Sequence, residues 1–170
     1  LQHHDGNDTV AYGKFGFDLA LGDSGKSLGV QYSLQEIELL AEKTLNISEN
    51  GSLNAHLTGS GNLTVSSAEE LTLSDRGEDD ANDYTDATTV TGKATAEAHT
   101  LGTLANHTSL LDVQASGKFT NAGGNVIGAL NEAQSGSISL NDVLTIAGDA
   151  ASSVAGKVNG AGSLALQSGN

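Results

Sequence analysis

The sequence predicts an all-β protein, an antiparallel β-sandwich of jelly-roll type with an extended N-terminal strand, and a β-solenoid as the alternative architecture. Three observations lead there. Residues 10–22 alternate cleanly, with Ala11, Gly13, Phe15, Phe17, Leu19 and Leu21 on one face and Val10, Tyr12, Lys14, Gly16, Asp18 and Ala20 on the other. The chain holds 22 Gly and no Pro, and is otherwise dominated by Asn, Ser and Thr, a composition of short strands and tight turns. From Thr44 onward, pairs of apolar residues recur roughly every eight to ten residues between Gly, Ser or Asn.

Residues 1–9 read as a polar, turn-like leader, so residues 1–22 form a leader plus strand and residues 23–170 a single β domain. The organising strand carries two of the three Phe residues, and aromatic side chains are only 4% of the chain. Burial against the core or a partner should therefore be largest there. Residues 23–27 form a turn, and Leu28, Val30, Tyr32 and Leu34 alternate as a second strand able to close a hairpin with the first. Residues 34–43 fit either a short helix, through Leu34, Ile37, Leu40 and Ala41, or a strand through Ile37 and Leu39. The strand is preferred because both neighbours are strands.

Further strands are expected around Leu45, Leu53, Leu63, Leu71, Val90, Leu111, Val126, Ile138, Val143, Val154 and Leu164, about ten to twelve segments in all. Residues 88–99 place Val90, Gly92, Ala94, Ala96 and Ala98 inward. A face of such small residues implies another backbone packed close against it. Residues 75–86 break the pattern with a dense acidic run and read as a surface loop.

Net charge is −14, from 21 acids and seven bases, which disfavours nucleic acid and anionic membranes as partners. No apolar run is long enough to span a membrane. With no Cys there is neither a disulfide nor a thiolate site. Position 1 is Leu and the chain contains no Met, from which a removed secretion signal is expected, with a trimmed tag as the alternative.

The segment ending in Gly25-Lys26-Ser27 lacks the leading Gly of a phosphate loop, since Ala20 stands there, and reads as a hairpin turn. Asp79, Asp80, Asn82, Asp83 and Asp86 crowd hard oxygen ligands and are the candidate Ca²⁺ site, although Tyr84 interrupts the EF-hand spacing. His3, His4 and Asp5 are a weaker metal candidate, and His56, His99 and His107 are scattered. No GxSxG elbow occurs, and Glu69 and Glu70 fall on opposite strand faces, a poor geometry for acid/base work. Asn7, Asn46, Asn50, Asn62 and Asn106 head Asn-x-Ser/Thr sequons, which are glycan acceptors in a secretory or archaeal surface setting.

The segments SGNLTVSSAEELTLSD, ASGKFTNAGGNVIGA and GSLALQSGN resemble repeats of filamentous-haemagglutinin-like adhesins, and KFTNAGGNVIG is similar to repeats of extracellular filament subunits of the functional-amyloid kind. The resemblance implies a secreted surface or matrix protein. A fixed period of about twenty residues is not evident.

The function expected from the sequence is that of a non-catalytic structural subunit of an extracellular filament or surface layer. It would polymerise with itself by strand addition, with Tyr12, Phe15, Phe17, Leu19 and Leu21 as the donor strand. The alternative is a surface adhesin or carbohydrate-binding module, Ca²⁺-dependent through the acidic loop, with surface glycan as partner. A polysaccharide enzyme is disfavoured by the absence of Trp.

Overall fold

The chain winds into a parallel β-solenoid of about seven turns. The computed structural model describes residues 2–22 and 27–167, except the side chains of Asp5 and residues 17–32.

One side of the solenoid is a six-stranded parallel sheet. It contains β4 (Thr44–Ile47), β7 (Asn62–Val65), β9 (Thr88–Val90), β11 (Leu111–Val113), β14 (Leu130–Glu132) and β17 (Ser153–Val154). The second side is another six-stranded parallel sheet: β5 (Gly51–Leu53), β8 (Glu70–Leu73), β10 (Lys93–Ala96), β12 (Lys118–Asn121), β15 (Ser137–Leu140) and β18 (Lys157–Asn159). The third side begins with β6 (His56–Gly59) and ends with β13 (Asn125–Ile127), β16 (Leu144–Ile146) and β19 (Leu164–Leu166). Between them the backbone ladder continues irregularly, with Asp83 N donating to Leu57 O at 3.0 Å, Asn82 N to His99 O at 3.0 Å and Val126 N to Gly102 O at 3.3 Å.

The antiparallel sandwich is therefore replaced by the solenoid, and the reason is physical. A two-residue period assigns faces, not partners, and coil-to-coil pairing buries the same alternating residues as sheet-on-sheet packing. The repeat is hidden because coil length varies. Leu45 to Leu63, Leu63 to Thr88, and Leu111 to Leu130 give coils of 18, 25 and 19 residues.

Stacking in register turns alternation into interior columns. Leu45, Leu63, Thr88, Leu111 and Leu130 form one, and Ile47, Val65, Val90, Val113 and Glu132 the next. On the second side Phe119 lies over Ala94, so the small face expected at residues 88–99 is filled by the largest apolar side chain of the next coil. A Cβ on Gly92 would come 2.1 Å from Ser67 O, which is the close backbone approach that this face implied. Leu111, Val113, Ala115, Gly117 and Phe119 alternate without a break in the sequence, yet they belong to two strands rather than one. A turn closed by Gly117 N donating to Gln114 O at 2.9 Å bends the chain between β11 and β12 while keeping its phase.

The N-terminal segment is antiparallel. β1 (Gln2–Asp5) pairs with β2 (Asp8–Gly22), which pairs with β3 (Ser27–Leu39), and β3 joins β6 in parallel. The leader is thus a strand, not a turn, and the expected hairpin forms, from Ala11 opposite Leu39 to Gly22 opposite Ser27. Residues 23–26 of its turn lie outside the described residues. At residues 34–43 the strand reading holds, because Ile37 and Leu39 pair with Leu57 and Gly59, and a turn follows at Glu42 with φ 60°. Val10 and Ala11 are buried with Leu39 and Leu45, so β2 closes the first coil. Leu40 N donates to Val10 O at 3.1 Å, and Lys43 meets Asp8 at 2.6 Å.

Leu111 is fully buried and Leu166 is 77% exposed. Leu111→Ala is expected to cost about 2–5 kcal/mol of stability and Leu166→Ala less than about 0.5 kcal/mol, as measured by chemical denaturation.

Candidate functional site

Strands of two to four residues have room for little besides packing, so chemistry is confined to corners, arm and ends. At the arm, Tyr12 and Phe15 are about 40% exposed. The backbone of Phe17, Leu19 and Leu21 pairs with Tyr32, Val30 and Leu28, while their side chains lie outside the described residues. The predicted donor strand is therefore one limb of an intramolecular hairpin. Lys14 pairs with Glu36 across it. An apolar pocket of about 120 Å³, lined by His3, Ala11, Tyr12, Leu34, Ile37 and Leu45, lies where the arm leaves the first coil.

The acidic run forms the corner between the second and third sides. Nε and Nη2 of Arg76 both lie 2.6 Å from Asp80 Oδ2, and Nη1 donates to Asn54 O at 2.9 Å. His56 bridges Asp83 at 3.1 Å and Asp80 at 3.8 Å. Asp75 accepts from Gly77 N and faces His99 at 3.2 Å, and these contacts, the Gly77 bond foremost, hold its carboxyl below the usual range. Asn82 is buried, accepting from Leu57 N and donating to Thr100 O, while Asp86 accepts from Ala87 N and Asp79 is exposed. Of the five residues offered for Ca²⁺, Asp80 and Asp83 thus share His56, Asn82 and Asp86 bond backbone groups, and Asp79 is exposed. Among the described residues no three His, Asp or Glu groups are placed to hold one metal ion. Tyr84, which broke the EF-hand spacing, is fully buried and starts a hydroxyl chain to Thr88 at 2.6 Å and on to Thr108 at 2.9 Å.

On the third side a shallow groove of about 440 Å³ runs between Glu78 and His99 and the loop at Thr103, Leu104 and Ala105. His3 lines the apolar pocket, His4 faces Thr9, and His107 bonds Thr103 O, so the histidines do not converge. Four sequon asparagines, Asn7, Asn46, Asn50 and Asn106, are exposed. The amide of Asn62 instead links three coils, accepting from Ala87 N and donating to Lys43 O.

The last described coil, β17 to β19, differs from the others. Each of its strands is the edge of its sheet, and Val154, Val158, Leu164 and Leu166 are all exposed, although in earlier coils the corresponding positions are buried. Directly beneath lies Glu132, only 1% exposed, between Val113 and Val154 in a column otherwise made of Ile and Val. Its Oε2 accepts from Gly156 N at 3.2 Å, and its Oε1 is the only buried side-chain oxygen or nitrogen without a partner among the described residues. Burial raises its pKa, outweighing the backbone donors Gly156 and Lys157. The sequence signal for it is the alternation Leu130-Asn131-Glu132, which puts a carboxylate on the inward face.

Comparison with known proteins found no matching family model, no matching curated protein and no matching solved structure.

Because folding raises the pKa of Glu132, its neutral form is the favoured one in the fold. That contribution is complete below about pH 4.5, the unfolded value, and is lost as pH rises through the folded value. Glu132→Gln is accordingly expected to melt above the wild type at pH 7, with the gap closing toward pH 4. Melting curves of both proteins across that range measure it.

Proposed function

We propose that this chain is a non-catalytic structural subunit of an extracellular filament or surface layer, joining its neighbours by β-strand addition. The observation that supports the reading is the parallel coil-on-coil ladder itself: strands of two to four residues are held by the strand stacked beside them, and a strand from another copy can be added by the same bonds. Unpaired backbone donors and acceptors on a flat edge template another strand, and the side chains beside them add burial once it is paired. In this reading the paired strand is one of the coil strands rather than β2, which pairs within its own hairpin.

Charge favours the last described coil for this. Residues 143–170 contain one acid, Asp149, and one base, Lys157, so the net −14 resides entirely in residues 1–142. Two copies of so acidic a chain repel one another over most of their surface, but not at this coil.

A second reading, a surface adhesin, rests on the groove beside Glu78 and His99. It has no aromatic platform for a sugar ring, since Tyr84 is buried and there is no Trp.

Sizing chromatography and negative-stain imaging over a concentration series test the leading reading. The wild type is expected to form end-joined assemblies, and Val158→Lys to remain monomeric with an unchanged circular dichroism spectrum. A wild type that stays monomeric at every concentration would falsify strand addition, and would move the groove reading forward.

A further inference from the structure

The outer face of the second side carries charge of the opposite sign to the rest of the molecule. Of the seven bases in a chain with 21 acids, Lys14 meets Glu36, Lys43 meets Asp8, Arg76 meets Asp80 and Lys93 meets Glu69 at 3.7 Å. Lys26 lies outside the described residues. The remaining two, Lys118 and Lys157, are exposed and meet no carboxylate among the described residues. Both stand in one column with Lys93, because the register sets Lys93 beside Lys118, Lys118 beside Ser137 and Ser137 beside Lys157.

The adjoining outward column is made of hydroxyls. Ser52, Thr72, Thr95, Thr120 and Ser139 follow one another in register, with Asn159 after them. Strand alternation keeps them at the surface, as where Phe119 and Asn121 are buried on either side of Thr120. Neighbouring strands lie about 4.8 Å apart, so the three lysines span about 14 Å along the solenoid and a polar side chain recurs at every step between them. Glu69 and Glu70 flank the strip beside Lys93, which leaves Lys118 and Lys157 as its free cations. The N-terminal arm meets this side at Ser52 and Leu53, through Ser33 and Leu34, two strands before Lys93.

We propose that this strip binds a linear anionic polysaccharide lying along the solenoid axis, with Lys118 and Lys157 meeting its acid groups and the Thr and Ser hydroxyls meeting those of its rings. A sugar ring is about as long as the spacing between neighbouring strands, about 4.8 Å, so such a chain offers one ring to each coil. An acidic glycan is held by charge-assisted hydrogen bonds, which suits a face without aromatic side chains. The acidic corner of a second copy fits the strip less well, because its Asp75, Asp80 and Asp83 are already held by His99, Arg76 and His56. Duplex DNA carries one charge per about 1.7 Å of axis, far denser than these lysines match. The rest of the surface repels polyanions, so attachment is confined to this strip and depends on salt.

Isothermal titration calorimetry of the full chain at low ionic strength tests this, with polygalacturonate, dextran sulfate, neutral dextran and duplex DNA as probes. The wild type is expected to bind an acidic glycan and not dextran, with polygalacturonate and dextran sulfate telling carboxylate from sulfate recognition, and to lose that binding as salt rises. Lys118→Gln and Lys157→Gln are each expected to weaken it about two- to fivefold, as for one exposed charge contact. Thr120→Val, which keeps the shape and removes the hydroxyl, should weaken it by a similar factor. Lys14→Gln makes the same change of net charge on the arm and is expected to leave binding unchanged. All four positions are at the surface, and circular dichroism checks that each variant keeps its fold. A wild type that binds neither acidic glycan overturns the inference, as does a double variant at Lys118 and Lys157 that binds like the wild type. Equal weakening by Lys14→Gln would make net charge the cause, and DNA bound as tightly as the glycans would make the strip a general polyanion surface; either result overturns the assignment. None of these outcomes depends on whether the chain assembles.

Discussion

Parallel pairing between successive coils is the interaction on which the structure depends, because its strands are too short to be stable otherwise. Most contain two to four residues, and each reaches its hydrogen-bond partners only in the coils on either side. Register follows from burial. Slipping one strand by a residue would turn Leu63 and Val65 outward and bring Asn62 and Thr64 into the core. The fold is in this sense one-dimensional, with every coil stabilised by its neighbours and each end a special case.

The corners make that stacking possible. Chain direction changes where Gly lets backbones approach, as at Gly92, and where buried amides bond the backbone across coils. Asn125 is the clearest case. Its Oδ1 accepts from Thr100 N and Leu101 N, and its Nδ2 donates to Glu97 O, Gly123 O and Asn121 Oδ1. The acidic corner serves the same end with charges, since Arg76 and His56 tie Asp80 and Asp83 back to the coil below. Coil length can vary there because residues 75–86 are added outside the columns while Asn82 and Tyr84 return to the core. Glu132 departs from these rules. It buries a carboxyl group, one oxygen of which has no partner, within a column of Ile and Val, where an unmet polar atom is costly.

Much of the fold was legible because alternation was strong. The inward faces at Leu63 and Val65, at Leu71 and Leu73, and at Ile138 and Leu140 are buried as expected, and the β2–β3 hairpin is where its two periodic segments placed it. Strand partners were not legible. Antiparallel hairpins and parallel coils bury the same residues, and a coil of 18 residues beside one of 25 erases the periodicity that separates them. The acidic run was recognised as a surface loop, but its sequence could not reveal that it forms a corner or that Asn82 and Tyr84 point inward, since both lie among charged neighbours. The exposed apolar edge was the least legible feature. Val154, Val158, Leu164 and Leu166 alternate like any core strand, yet they are exposed because no further coil is stacked on them among the described residues.

Hydrogen–deuterium exchange of the full chain, followed by mass spectrometry at rising protein concentration, tests the central claim most directly. If the coil strands take up a strand of a second copy, peptides covering residues 153–166, whose apolar side chains are exposed, exchange rapidly in dilute solution. They should become protected as concentration rises, while residues 111–146 stay protected throughout. Exchange at residues 153–166 that is slow in dilute solution, or that does not change with concentration, would contradict it.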